Sequence, residues 1–318
     1  MKFLVAVGSY ERIIYGLDVE VQEEKGEFKS KVGFAIPAHL GYVKSIAACP
    51  KYLVSGGTDE VMRIFDLRKR KDIGTINNHD GSIRAIDFFE STHMLSAAED
   101  GKIALFRTRD WECLHLFQKY KKPIADLKIH PSGKLAVSLD EDKNLSLWNL
   151  VTGKMAHSSK VPALGKLDKI VWSESGKYYA LLGETHLQVF ETQTSTKIVD
   201  LRAGTLIGKV RTEKWLCVVF HHDDALLFAG ESGKLHMIKM DEPETRLVVE
   251  TGHKPRIRCL SKLDNYLITA STDGTIKVFD FDSVHEAMRP LGQDVQHLSA
   301  AHEHQSELRI TCMAVARQ

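Results

Sequence analysis

Residues 129–150 read IHPSGKLAVSLDEDKNLSLWNL. Ile129 closes an apolar run begun at Ile124 and Leu127, and His130-Pro131-Ser132-Gly133 is a turn with proline second and glycine fourth. Leu135, Val137 and Leu139 then alternate as the buried face of a strand does. Asp140 to Asn144 is polar turn material, and Leu145, Leu147, Trp148 and Leu150 make a third strand. The stretch is three short strands joined by two tight turns.

The turn before that third strand recurs along the chain, around Asp59, Asp100, Asp142, Glu184, Glu231 and Asp273, at spacings of 41, 42, 42, 47 and 42 residues. An even period near forty, with turns between alternating apolar strands, is the pattern of β-propeller blades. Five of the six units end on an aromatic followed by a polar residue: Phe65-Asp66, Phe106-Arg107, Trp148-Asn149, Phe190-Glu191 and Phe279-Asp280. Upstream lie Ala38-His39, Asn78-His79 and Gly252-His253. These positions resemble the Trp-Asp and Gly-His marks of the WD-repeat family.

Six units are explicit and the chain ends supply a seventh. Phe3–Val7, Ile13–Val21 and Phe28–Ile36 read as second, third and fourth strands without a first, and Leu308–Ala316 (LRITCMAVA) reads as a first strand without a sheet. Pairing them removes two open edges. The expectation is an all-β, seven-bladed WD-repeat β-propeller, a single domain over 1–318, with strands 3–36 and 308–316 forming the closing blade. Two surpluses are expected as loops, one near Arg202 to Ile207 and one at SVHEAMRPLG (283–292). The last explicit unit then takes its fourth strand from about Val295 to Ser299.

Composition narrows function by exclusion. The 318 residues are 43% hydrophobic and 27% charged, ample for a sizeable core. A formal net charge of +1 gives no global attraction to nucleic acid, so any such contact must be local. Five scattered cysteines without a CxxC argue against disulfide staples and for a reducing compartment. The opening MKFLVAVGSYER is too short in apolar residues for a secretory signal, and no apolar run spans a bilayer, so an intracellular chain without membrane contact is expected.

Three Ser/Thr-His-Asp sets invite a catalytic reading: His39, Ser55, Asp59; His79, Ser96, Asp100; and His253, Thr269, Asp273. The hydroxyl-to-Asp step is four residues each time and the His-to-hydroxyl step 16 or 17. A catalytic set occurs once, whereas these recur with the repeat. They are read as buried hydrogen-bond networks, and no catalytic residue is assigned. GESGKL (230–235) lacks the first glycine and the final Ser/Thr of a phosphate loop. The histidines, densest at His221-His222 and at His297, His302 and His304, are read as loop residues without zinc spacing, so no metal or cofactor is expected.

Two basic runs remain. Arg68-Lys69-Arg70-Lys71 is placed in a turn between third and fourth strands, and Lys119-Tyr120-Lys121-Lys122 in a loop leading into the next unit. Either suits RNA phosphates or an acidic partner, and the first also suits a nuclear import signal.

DWECLHLF (110–117), residues 129–154 and VGSYERIIYGLDV (7–19) resemble the p21-activated-kinase-interacting proteins and their fungal relatives. That resemblance implies a non-catalytic scaffold in nucleolar assembly of the large ribosomal subunit, monomeric outside the particle. Its implied partners are pre-ribosomal large-subunit proteins, including ribosomal-like placeholder proteins, with ribosomal RNA as a further candidate. The alternative it implies is negative regulation of a p21-activated kinase through the kinase's regulatory region. The family's lysine-rich C-terminal tail is not seen after Ala316, so a nuclear and nucleolar location is expected from the family and from Arg68–Lys71.

Overall fold

Apolar segments, mostly of five to eight residues and separated by turns rich in Gly, Asp and Ser, pair here mainly with their sequence neighbours. The computed structural model describes residues 1–22, 27–118, 122–162, 165–203, 213–254, 256–291 and 293–318. Seven antiparallel sheets of four or five strands result, the blades of a β-propeller. The first joins Ile310–Arg317 to Lys2–Ser9, Ile13–Gln22 and Glu27–Pro37. The second holds Val43–Ala48, Tyr52–Gly57, Met62–Asp66 and Lys71–Ile76, and the third Ile83–Phe89, His93–Ala98, Ile103–Arg107 and Glu112–Phe117. Ile124–Ile129, Leu135–Asp140, Asn144–Asn149 and Lys154–Lys160 form the fourth, so the stretch that opened the sequence reading folds as three strands. Leu167–Trp172, Tyr178–Gly183, His186–Glu191 and Lys197–Arg202 form the fifth. The sixth comprises Trp215–His221, Ala225–Gly230, Lys234–Lys239 and Arg246–Glu250, and the seventh Ile257–Leu263, Tyr266–Ser271, Thr275–Asp280 and His302–Gln305. Met1–Val161 with Leu308–Gln318 makes one compact unit, and Pro162–Glu307 another.

The expected chain-end pairing is present. The last strand lies antiparallel to the first, Leu4 opposite Ala316 and Val7 opposite Met313. Second strands such as Tyr52–Gly57 and Ala225–Gly230 are buried throughout, whereas the outer strand Lys154–Lys160 is almost wholly exposed. The core therefore lies between neighbouring sheets. Val54, Met62, Ile83 and Phe106 share one cluster between the second and third, and Leu182, Trp215 and Phe228 another between the fifth and sixth.

Two backbone devices repeat with the sheets. The first strand carries a bulge near its start, between Val43 and Ser45, Ile83 and Ala85, Ile124 and Asp126, Leu167 and Lys169, Trp215 and Cys217, and Ile257 and Cys259. Where the second strand passes such a bulge, Gly230 has no room for a Cβ, which would collide with the Lys214 carbonyl. In addition, the residue after each third strand donates its N–H to the turn between the first two. The pairs are Leu67 to Lys51, Thr108 to Thr92, Leu150 to Lys134, Thr192 to Lys177, Met240 to Asp224 and Phe281 to Asn265. Both turns at one end of every such sheet are thus tied together.

The sequence reading is corrected after Asp280. The surplus expected as a loop starts as the helix Phe281–Ala287, which buries Phe281 and Val284 one turn apart and is capped by Asp280, the acceptor from Ser283 N–H at 3.2 Å. Next, Arg289–Pro290 pairs with Leu247 and Val248 as a fifth strand on the sixth sheet. The fourth strand of the seventh sheet is His302–Gln305 rather than a segment near Val295–Ser299, because Gln296 and Leu298 hydrogen-bond Glu250 of the sixth sheet instead. Arg202 ends a strand, Ala203 donates its N–H to the Thr185 carbonyl at 2.9 Å, and residues 204–207 of the other expected loop lie outside the described residues.

Candidate functional site

The loop after each fourth strand brings a histidine over the second strand of the next sheet, and two of the three sets close fully. His39 Nε2 lies 2.7 Å from Ser55 Oγ, and its Nδ1 lies 3.0 Å from Asp59 Oδ1. Asp59 also accepts the Leu40 N–H at 2.7 Å. His79 repeats this with Ser96 at 2.8 Å and Asp100 at 3.2 Å, and Asp100 accepts the Asp80 N–H at 3.0 Å. Burial lowers the pKa of both rings against the pull of their carboxylates. A neutral ring then donates from Nδ1 to the acid and accepts the hydroxyl proton at Nε2.

The order of groups is that of a nucleophilic triad, and burial decides against one. Ser55, Ser96 and Thr269 have 0% exposure, so no substrate reaches their oxygens. What the arrangement can do is clamp loop, strand and turn together, with every polar atom satisfied.

The third set is incomplete, which corrects the sequence reading. His253 Nε2 meets Thr269 Oγ1 at 2.7 Å, but its Nδ1 has no hydrogen-bond partner. Asp273 accepts instead from the Thr275 N–H at 3.0 Å. Burial, helped by the nearby Lys277 charge, pulls the His253 pKa down to about 4.

The three repeats without the Gly-His mark are tied by other groups that the sequence reading missed. In the fourth sheet the Trp148 indole N–H donates to Ser138 Oγ at 2.7 Å, and Asp140, not Asp142, caps the turn by accepting from Asn144 N–H at 2.8 Å. In the fifth, His186 Nε2 meets Asp200 Oδ1 at 2.5 Å. Burial raises the Asp200 pKa, but Lys197 and His186 outweigh it and bring it to about 2. In the sixth, buried Glu213 accepts from Ser232 and lies 3.4 Å from His236 Nε2 and 3.7 Å from Arg246 Nη2. Burial raises its pKa, and His236, Ser232 and Arg246 together lower it to about 2. The Arg246 guanidinium also covers the Trp215 ring at 5.2 Å.

The other histidines are not all loop residues. His302 and His304 lie on a strand, and His221 ends one. The His221 ring stacks on Phe281, and burial followed by the Lys262 charge lowers its pKa to about 4. Among the described residues no group of three or more His, Cys, Asp or Glu could hold a metal ion, and no helix is long and apolar enough to cross a membrane.

Arg68, Lys69 and Arg70 occupy the exposed turn between third and fourth strands of the second sheet, and Lys71 begins the fourth strand. Arg70 Nη2 donates to Asp18 at 2.7 Å, and the Lys69 N–H donates to Asp66 at 2.9 Å. Lys122 is exposed just ahead of Ile124–Ile129, whereas Lys119, Tyr120 and Lys121 lie outside the described residues.

A family model described as "WD domain, G-beta repeat" matches residues 70–107, 111–149 and 245–280. A p21-activated protein kinase-interacting protein 1-like protein of Xenopus laevis is 30% identical over 87% of this chain and 74% of its own length. Protein MAK11 of Saccharomyces cerevisiae is 28% identical over 89% of this chain and 78% of its own length. Shk1 kinase-binding protein 15 of Schizosaccharomyces pombe is 26% identical over 87% and 77%. With seven blades of four or five strands, the repeated histidine clamps and a likeness that runs along most of the sequence, the chain belongs to the WD-repeat family of p21-activated kinase-interacting protein 1-like proteins and their yeast relatives.

Proposed function

We propose that this protein is a non-catalytic scaffold acting in nucleolar assembly of the large ribosomal subunit. It holds ribosomal-like placeholder proteins on pre-ribosomal particles and works in the nucleus. The observation that carries the reading is the family likeness over 87% of the chain, joined to buried Ser-His-Asp sets that act as clamps rather than as chemistry. Fold alone would not support so specific a role. The exposed Arg68–Lys71 turn fits both nuclear import and contact with an anionic particle.

The test is affinity purification of the tagged protein followed by gradient sedimentation and mass spectrometry. Co-migration with precursors of the large subunit, enriched for their assembly proteins, is expected. Sedimentation only as free monomer overturns the reading.

A second reading has its own support. Several relatives carry names that describe kinase interaction or kinase binding. In this reading the chain occludes the regulatory region of a p21-activated kinase. Saturable binding to that isolated region, measured by calorimetry, is its expected outcome, and absence of binding removes it.

A further inference from the structure

The turns between third and fourth strands share one backbone shape in four consecutive sheets. The fourth residue after the third strand is left-handed in each: Arg70 at φ 49°, Trp111 at 59°, Gly153 at 64° and Ser195 at 56°. Glycine or a small polar residue suits that conformation, and a bulky aromatic is held there at a cost. Trp111 nonetheless sits there, half-buried against Tyr52, whose ring centroid is 5.0 Å away. Lys51 Nζ lies over the same Tyr52 ring at 4.7 Å, and the Lys51 carbonyl accepts the Leu67 N–H at 2.9 Å. This chain of contacts places Trp111, Lys51 and the Arg68–Lys71 turn at one end of the second and third sheets, with exposed Arg109 two residues before the tryptophan.

The charges there are sorted. Asp18 pairs with Arg70, Asp72 with Arg63, and both Asp110 and Glu112 with Arg107, while buried Asp66 accepts only the Lys69 N–H. Among the described residues, Lys51, Arg68, Lys69, Lys71 and Arg109 carry no salt bridge. A partly exposed aromatic at the same end of the sheets as these unmatched cations supplies what single-stranded nucleic acid requires: a platform for a base and a track for its phosphates.

We infer that this end of the second and third sheets binds single-stranded RNA, with Trp111 stacking a base and Lys51, Arg68, Lys69 and Arg109 contacting phosphates. The inference rests on the ribosome-assembly reading for its setting and deepens it by naming the partner of the Arg68 turn. Trp111 packs one side against the core cluster of Val54 and Phe106, and an acidic protein segment would use the cations but not the ring's remaining exposed surface.

The test uses the full chain and a fluorescein-labelled oligouridylate of about 15 nucleotides, a length within the usual span of such sites. Anisotropy should show binding that weakens steeply between about 50 and 200 mM salt, as release of counterions demands. Arg68→Glu with Lys69→Glu should weaken it at least about tenfold with an unchanged melting temperature, since both side chains are solvated. Trp111→Ala should weaken it about tenfold, and Trp111→Phe, which keeps a stacking ring, should recover most of that loss. Absence of binding, or equal binding by the Arg68/Lys69 variant, overturns the inference. So does competition by polyglutamate together with indifference to Trp111→Ala, which would mark a protein-binding surface. Particle co-sedimentation that persists through such a failure leaves the scaffold reading standing.

Discussion

His253 holds the Thr269 hydroxyl at 2.7 Å through Nε2 while its Nδ1 has no hydrogen-bond partner, and Asp273 accepts the Thr275 N–H. His39 and His79, in the same place in their own sheets, have the acid. Three sets alike in spacing are therefore unlike in energetics. Asp59→Ala removes the acceptor of both His39 and the Leu40 N–H and should cost about 1–3 kcal/mol. Asp273→Ala, which loses a turn cap, should lower the melting temperature by less. Differential scanning fluorimetry of both variants checks the order, and equal losses would contradict it.

The same gap has a pH signature. An ordinary histidine pKa near 6.5 falls to about 4 at His253 in the folded chain, so the unfolded chain binds more protons between those values. Stability from this residue is present above about 6.5 and is lost as pH falls toward 4. His253→Gln keeps an acceptor for Thr269 and cannot titrate. Its melting temperature should drop less than the parent's between pH 7.5 and 5, and parallel curves would show that His253 does not carry the effect.

Much of the fold was legible because blade chemistry is local and periodic. The turn at Asp59 and its fellows, and the two chain-end segments that lacked partners, pointed to seven sheets and to the pairing of Leu4 with Ala316. The misses have physical causes. A seven-residue helix at Phe281 offers only two turns of pattern, and Phe279-Asp280 before it looks like any repeat ending. Glu213 is 23 residues from His236 and 33 from Arg246, in no repeated register, so only the folded chain brings them together. The repeats that lack a Gly-His mark are pinned by such substitutes. The Trp111 surface was hidden for another reason: a positive φ is a property of the turn, and DWEC does not announce it.

Glu213 is the most consequential of those substitutes. It is 9% exposed and faces Arg246 and His236, so Glu213→Gln leaves the guanidinium without its counter-charge. Breaking a buried pair from one side costs about 3–5 kcal/mol, which should appear as a lower urea midpoint at pH 7. Its carboxylate pKa is lowered to about 2, so the contribution is present above the ordinary value near 4.5 and lost as pH falls toward 2. Parent and variant should converge as pH drops through that window. A gap that stays constant would mean that packing, not charge, separates them.

The last strand tests whether the fold depends on its own ends. Ile310–Arg317 covers Lys2–Ser9, every residue of which after Lys2 is buried, and the Thr311 hydroxyl lies 2.9 Å from the Gly8 carbonyl and 2.6 Å from that of Val43. Removing residues 308–318 would open a fully apolar strand edge and withdraw Cys312 and Ala314 from the cluster around Leu4, Ile46 and Leu53. Such an edge is a template for pairing with other chains, so the truncated protein should elute from size-exclusion columns as aggregate. A synthetic peptide of residues 308–318, present during refolding, should restore a monomeric species because the register from Phe3–Arg317 to Ser9–Ile310 specifies its seat. A truncated chain that stays monomeric with the parent's melting temperature would mean that Lys2–Ser9 holds its place through Ile13–Gln22 alone.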